Sequence, residues 1–206
     1  MSELKEKTAR GLFWGGFSNG IQQLLNLLFG IVLARLLTPA DYGMVGMLSI
    51  FVMVASTLQD SGFTNALANK KEVSHADYNA VFWFSTLMGV LLYLLLFLSA
   101  PLIAAFFGQP ELELLSRLLF LGFLISSTGT AHNAVFFKQL MVKQKAMAQL
   151  IALCVSGVTG ITLALCGMAY WGIALQTVTY IAVCTGLYWC FSPWRPSLEV
   201  DFRPLR

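Results

Sequence analysis

The chain has 206 residues, 57% of them hydrophobic and 11% charged, with a mean hydropathy of +0.72 and a formal net charge of +3. Soluble domains carry about 25% charged residues, so this composition excludes an ordinary water-soluble domain and points to an all-α integral membrane protein. The 13 basic residues alternate with long apolar runs, which argues against nucleic acid as a partner.

The first ten residues, MSELKEKTAR, mix charges and lead into an apolar run with no small-residue cleavage site. We read that run as a retained span. A spanning helix needs roughly 20 mainly apolar residues, and six runs qualify. They are Gly11 to Leu37, Tyr42 to Leu67, Asn79 to Phe107, Leu114 to Phe137, Met147 to Met168, and Tyr170 to Phe191. Residues 11–191 are therefore expected to form a six-transmembrane-helix bundle, with 1–10 and 192–206 as flanking tails.

Along the first span, Gly15, Asn19, Gln22, Gln23, Asn26 and Gly30 recur at helical spacing, within an arc of roughly 100°. Amide side chains are costly in lipid, so this face is expected to line a wet cavity. The turn LLTPADYG follows, with Thr38 as N-cap, Pro39 at the first helical position and Asp41 three residues after the cap. The second span carries Ser56, Thr57, Asp60 and Thr64 on one face. Asp60 is the acid on a stripe, and two readings of it stand: an inward-facing helix-end residue, or an ion-coupling carboxylate.

In VSHADY, Ser74 and Asp77 repeat the capping pattern, and His75 reads as an exposed loop residue. Pro101 is expected to end or kink the membrane portion of the third span. The fourth span places Ser126, Thr130 and Asn133 on one face with Gly122 and Gly129, whereas His132 lies off that face and reads as structural. Gln176, Thr179 and Tyr180 on the sixth span and Ser156, Thr159 and Gly160 on the fifth form shorter sets. Small residues there also suit close helix packing. Cys154, Cys166, Cys184 and Cys190 lack metal or redox spacing and read as packing residues. No metal site, cofactor motif or enzyme signature is visible, so catalysis is not expected.

With the N-terminus inside, Lys5, Lys7, Arg10, Lys70, Lys71, Lys138, Lys143, Lys145, Arg195, Arg203 and Arg206 fall on the cytoplasmic side, and only Arg35 and Arg117 outside. The positive-inside rule thus favours two cytoplasmic termini. Both outer arginines sit off the polar stripes and near span ends, where long basic side chains snorkel to the interface.

Several segments together resemble bacterial polysaccharide exporters of the oligosaccharide flippase family, relatives of the MATE exporters and the lipid II flippase. They include LARLLTPADYG (33–43), QDSGFTNALANKKE (59–72), IAAFFGQPELELLSRLLFLGFLI (103–125), FKQLMVKQKAMAQLIA (137–152), GITLALCGMAYWGIALQ (160–176) and the terminal WRPSLEVDFRPLR. The pattern departs at Ala169, where relatives show a glycine before the tryptophan. The resemblance implies one lobe of a two-lobed transporter in the bacterial inner membrane. It would move undecaprenyl-linked oligosaccharide from the cytoplasmic to the periplasmic leaflet by alternating access.

The implied partners are the lipid-linked oligosaccharide, membrane lipids, a second lobe or another copy of the chain, and polysaccharide polymerase machinery. Candidate cavity residues are Asn19, Gln22, Gln23, Asn26, Ser56, Thr57, Ser126, Thr130, Asn133 and Gln176, with Asp60 as coupling or structural acid. A MATE-type small-molecule exporter and a non-transporting half-lobe are the rival readings.

Overall fold

The computed structural model describes residues 2–59 and 73–197; Asp60, Thr64 and the rest of QDSGFTNALANKKE after Gln59 lie outside the described residues. Seven helices and no strand occur among the described residues. They are α1 (Ser2–Leu36), α2 (Pro39–Gln59), α3 (His75–Phe107), α4 (Glu111–Ser127), α5 (Thr130–Lys138), α6 (Val142–Leu165) and α7 (Ala169–Phe191). Five helices are long and apolar enough to cross a membrane, and α4 with α5 makes a sixth span if the bent pair counts as one. This is an all-α membrane helical bundle.

Both capping patterns form as the residue types require. Asp41 Oδ2 accepts from the Thr38 backbone N–H at 2.8 Å and from the Thr38 hydroxyl at 2.7 Å. Ser74 and Asp77 make the reciprocal box at the start of α3. Pro101 neither ends nor breaks its helix: α3 runs through it to Phe107. The stop is Gly108, whose φ of 65° closes a Schellman turn with Gln109 N–H on the Ala104 carbonyl at 3.0 Å. Gly167, at φ 78°, ends α6 in the same way. At the end of α5 that left-handed position is taken by Leu140, at φ 54°, with Met141 N–H on the Phe136 carbonyl at 2.9 Å.

Helix α7 sits against α6, α4 and α2, while α1 packs on α6 and α3 packs on α4. Burying apolar surface gives helices little drive to associate in lipid, so close packing at small residues carries much of the association. Gly172 therefore lies against the Gly160 carbonyl, and the Phe29 ring of α1 fills the space over Gly157 of α6. A tight core of Leu48, Leu112, Leu115, Phe120 and Ala174 joins α2, α4 and α7. Leu24, Leu27 and Leu28 of α1 and Leu94, Leu95, Leu98 and Leu102 of α3 are exposed, an apolar outer surface suited to lipid.

The three turns assigned outside by the basic count meet at one end of the bundle. There the Tyr170 hydroxyl donates to Glu111 at 2.6 Å, and the Tyr170 backbone faces the Asp41 carboxylate. Arg117 pairs with Glu113 at 2.9 Å and lies 4.4 Å over the Phe97 ring. At the opposite end, residues 192–197 form a strap across the start of α3. Trp83 Nε1 donates to the Ser197 carbonyl at 2.9 Å, Ser197 N–H donates to Asn79 Oδ1 at 2.9 Å, and His75 Nε2 lies 3.1 Å from the Arg195 carbonyl. Trp194 of the strap is buried beside His132, with ring centroids 5.3 Å apart and edge-on. Trp189 stands 4.7 Å from the other side of that imidazole. Among the described residues neither ring nitrogen of His132 has a hydrogen-bond partner, and the imidazole packs against the two indoles.

Candidate functional site

Helix α1 turns its amides towards α6 and α7. Gln22 Nε2 donates to Ser18 Oγ one turn earlier at 3.0 Å, which holds the Gln22 side chain along the helix. Asn19 and Gln22 line a hollow of about 350 Å³ with Lys145, Ala146 and Gln149 of α6 and with Phe136 and Phe137 of α5. Further along α1, Gln22 and Asn26 line a second hollow of about 450 Å³ with Ser156 of α6 and Gln176, Thr177 and Tyr180 of α7. A third, of about 290 Å³, is bounded by Gln59 of α2, Ser126, Gly129, Thr130 and Asn133 at the α4–α5 break, and Gln149, Tyr180, Thr185 and Tyr188.

Gln22 is common to the first and second hollows, Gln149 to the first and third, and Tyr180 to the second and third. The three are therefore parts of one polar groove, flanked by α1 and the end of α2 and floored by α6 and α7. None of these lining residues is acidic. Among the described residues, no group of three or more His, Cys, Asp or Glu is placed to hold a metal.

The break deepens the groove. Helices α4 and α5 meet at 44°, although the sequence reads as one continuous span. Thr128 and Gly129 close the last turn of α4 by bonding back to Ile125 and Ser126, and the Thr185 side chain fits against Gly129. Gln59 ties α2 to this point, donating to the Phe123 carbonyl at 3.0 Å and to Ser126 Oγ at 3.1 Å. Asn133 Oδ1, facing the third hollow, has no hydrogen-bond partner among the described residues. Irregular backbone at membrane depth is tolerated where it is buried or lines a cavity, and here it does the latter.

Of the residues expected from sequence, Asn19, Gln22, Asn26, Ser126, Thr130, Asn133 and Gln176 come together on this groove. Gln23 is exposed and lines none of the three hollows. Nor do Ser56 and Thr57, whose hydroxyls bond back to the Met53 carbonyl of their own helix. Asp60 lies outside the described residues. Lys145, Gln149, Thr185 and Tyr188 were not expected there. The first two follow one helical stripe with Ser156, at intervals of four and seven residues. That stripe is legible once the helix begins at Val142; starting the fifth span at Met147 hands Lys145 to the loop.

A family model described as "Polysaccharide biosynthesis protein" matches residues 32–206. The chain belongs to this polysaccharide biosynthesis protein family. This family member is 26% identical over 175 residues to the lipopolysaccharide biosynthesis protein WzxC of Escherichia coli (strain K12), covering 85% of this chain and 35% of WzxC. To the succinoglycan biosynthesis transport protein ExoT of Rhizobium meliloti (strain 1021) it is 25% identical over 158 residues, 76% of this chain and 32% of ExoT. To the teichuronic acid biosynthesis protein TuaB of Bacillus subtilis (strain 168) it is 26% identical over 140 residues, 68% of this chain and 29% of TuaB. The chain thus spans about a third of the length of these relatives. No solved structure matches it. The family resemblance read from the sequence segments is borne out.

Proposed function

We propose that this chain forms one lobe of an exporter that carries undecaprenyl-linked oligosaccharide from the cytoplasmic to the periplasmic leaflet of the bacterial inner membrane. The observation that carries the reading is the connected polar groove set into an otherwise apolar bundle. Amide side chains both donate and accept, so Asn19, Gln22, Asn26 and Gln176 suit sugar hydroxyls. The lipid tail would stay in the bilayer outside. A second lobe, or another copy of the chain, would close the groove from its open side, and rocking of the two halves would give alternating access.

Further support comes from the family match over residues 32–206 and from a relative that is named as a transport protein. Transport rather than catalysis is the role this reading assigns. It also places the end carrying Asp41, Glu111 and Tyr170 in the periplasm, with both termini cytoplasmic, in agreement with the basic count.

The test is a leaflet-equilibration assay in vesicles, using a full-length relative with leucine at the positions of Asn19, Gln22 and Asn26. Each lost amide contact removes about 1 kcal/mol, so transport of the lipid-linked sugar should slow by about tenfold or more. Undiminished flipping would overturn the groove as the path.

A further inference from the structure

We propose that Lys145 is the anion anchor of the groove, taking a phosphoryl or carboxylate oxyanion of the ligand and so fixing which end of the ligand lies where. This rests on the groove being a path for a sugar-bearing lipid, and it adds a charge requirement and a polarity to that path.

Lys145 is the fourth residue of α6 and lines the first hollow beside Asn19, Gln22 and Gln149. It is half-buried. Among the described residues its ammonium has neither an ion pair nor a side-chain hydrogen bond. Three other cations among the described residues are occupied: Arg117 by Glu113 and Phe97, Lys143 by the Trp14 ring, and Arg195 by the carbonyls of Ser192 and Trp194.

Holding a charge partly out of water without a counter-ion is unfavourable. An ammonium beside amides and no acid is therefore a receptor for an oxyanion brought from outside. Its three donors serve a phosphate or carboxylate as a point charge, and the neighbouring amides can bond the remaining oxygens.

Position then sets direction. Ser156 follows Lys145 by eleven residues on α6, about 16 Å along the helix. It lines the second hollow with Asn26 and Gln176, and Gln22 borders both hollows. An anion held at Lys145 leaves the amides of the second hollow for neutral hydroxyls about 16 Å away. The charged end of the ligand lies by the start of α6, and the sugars run along α1 towards Asn26.

The experiment uses the full chain in nanodiscs of phosphatidylcholine, with Lys145→Gln, Lys145→Arg and Gln149→Glu beside the wild type. Gln149→Glu leaves the lysine in place and supplies an internal counter-ion one turn on, which keeps the test open if the glutamine variant fails to fold. Calorimetric titrations use farnesyl pyrophosphate, glucuronate and, as neutral control, farnesol. Lys145→Gln and Gln149→Glu should weaken an anionic probe by about tenfold or more, with Lys145→Arg within about threefold of wild type and farnesol unchanged.

Loss in the pyrophosphate arm assigns the anion to the lipid carrier, and loss only in the glucuronate arm assigns it to a sugar acid. Both arms unaffected would overturn the anchor. Anion binding that depends on Lys145, together with undiminished flipping by the leucine variants, would sink the export reading and leave the anchor standing.

Discussion

The indole N–H of Trp189 donates to the backbone carbonyl of Thr128 at 3.2 Å, so the last turn of α7 satisfies an acceptor at the break between α4 and α5. Trp189→Phe keeps an aromatic ring beside His132 but leaves that carbonyl unpaired. The expected loss is about 1–3 kcal/mol of stability, read as a lower unfolding midpoint of the full chain in detergent. An unchanged midpoint would show that the carbonyl is satisfied without the indole.

Among the described residues, two with side chains hold backbone angles that suit glycine: Leu140 at φ 54° and Ala169 at φ 44°. A left-handed conformation costs an L-residue roughly 1–2 kcal/mol, partly offset by the greater freedom that glycine loses on folding. Leu140→Gly and Ala169→Gly should each therefore stabilise the chain by about 0.5–1 kcal/mol. Thermal unfolding of the two variants checks this, and a fall in midpoint at Ala169 would contradict the strain assigned there.

The contact between α6 and α7 depends on the absence of a side chain at Gly160. A Cβ there would stand 2.6 Å from Gln176 Oε1, whereas one at Gly30 would meet nothing within 4 Å. Gly160→Leu should cost about 1–3 kcal/mol by overpacking and drive Gln176 from the groove. Gly30→Leu should leave the midpoint unchanged or raise it slightly. Similar losses at both positions would mean that the effect is one of helix backbone and not of packing.

Wetness of the groove can be read by thiol chemistry. With Cys154, Cys166, Cys184 and Cys190 replaced by alanine, cysteines at Asn26 and Gln176 should react with a charged, membrane-impermeant reagent. Cysteines at Leu98 and Leu102, on the apolar outer face of α3, should stay silent in a bilayer. Silence at all four positions would make the groove dry.

How much of this was legible in the sequence follows from the kind of signal each residue gives. Thr38 with Asp41 and Ser74 with Asp77 act within one turn, so their spacing was enough. The amides Asn19, Gln22 and Asn26 are conspicuous because lipid penalises them, and helical periodicity then puts them on one face. The α4–α5 break left no such mark, since Thr128 and Gly129 are ordinary within a spanning helix. It is held from elsewhere, by Trp189, Thr185 and Gln59, and contacts across 56 to 67 residues are not written in local pattern. Leu140 shows the same limit, for its left-handed turn sits on a residue that gives no glycine signal. Lys145 was hidden by its own charge, which reads as loop and topology until the first turn of α6 is seen to contain it.

The strap has a mechanical consequence. A pull on the backbone at Ser197 is borne first by Asn79 and Trp83, which clamp that residue from both its N–H and its carbonyl, and behind them by Trp194 wedged beside His132. The load passes into α3, and α7 is spared, as a cable clip spares the solder joint behind it. The helix that floors the groove is thereby insulated from tugging on the chain beyond it.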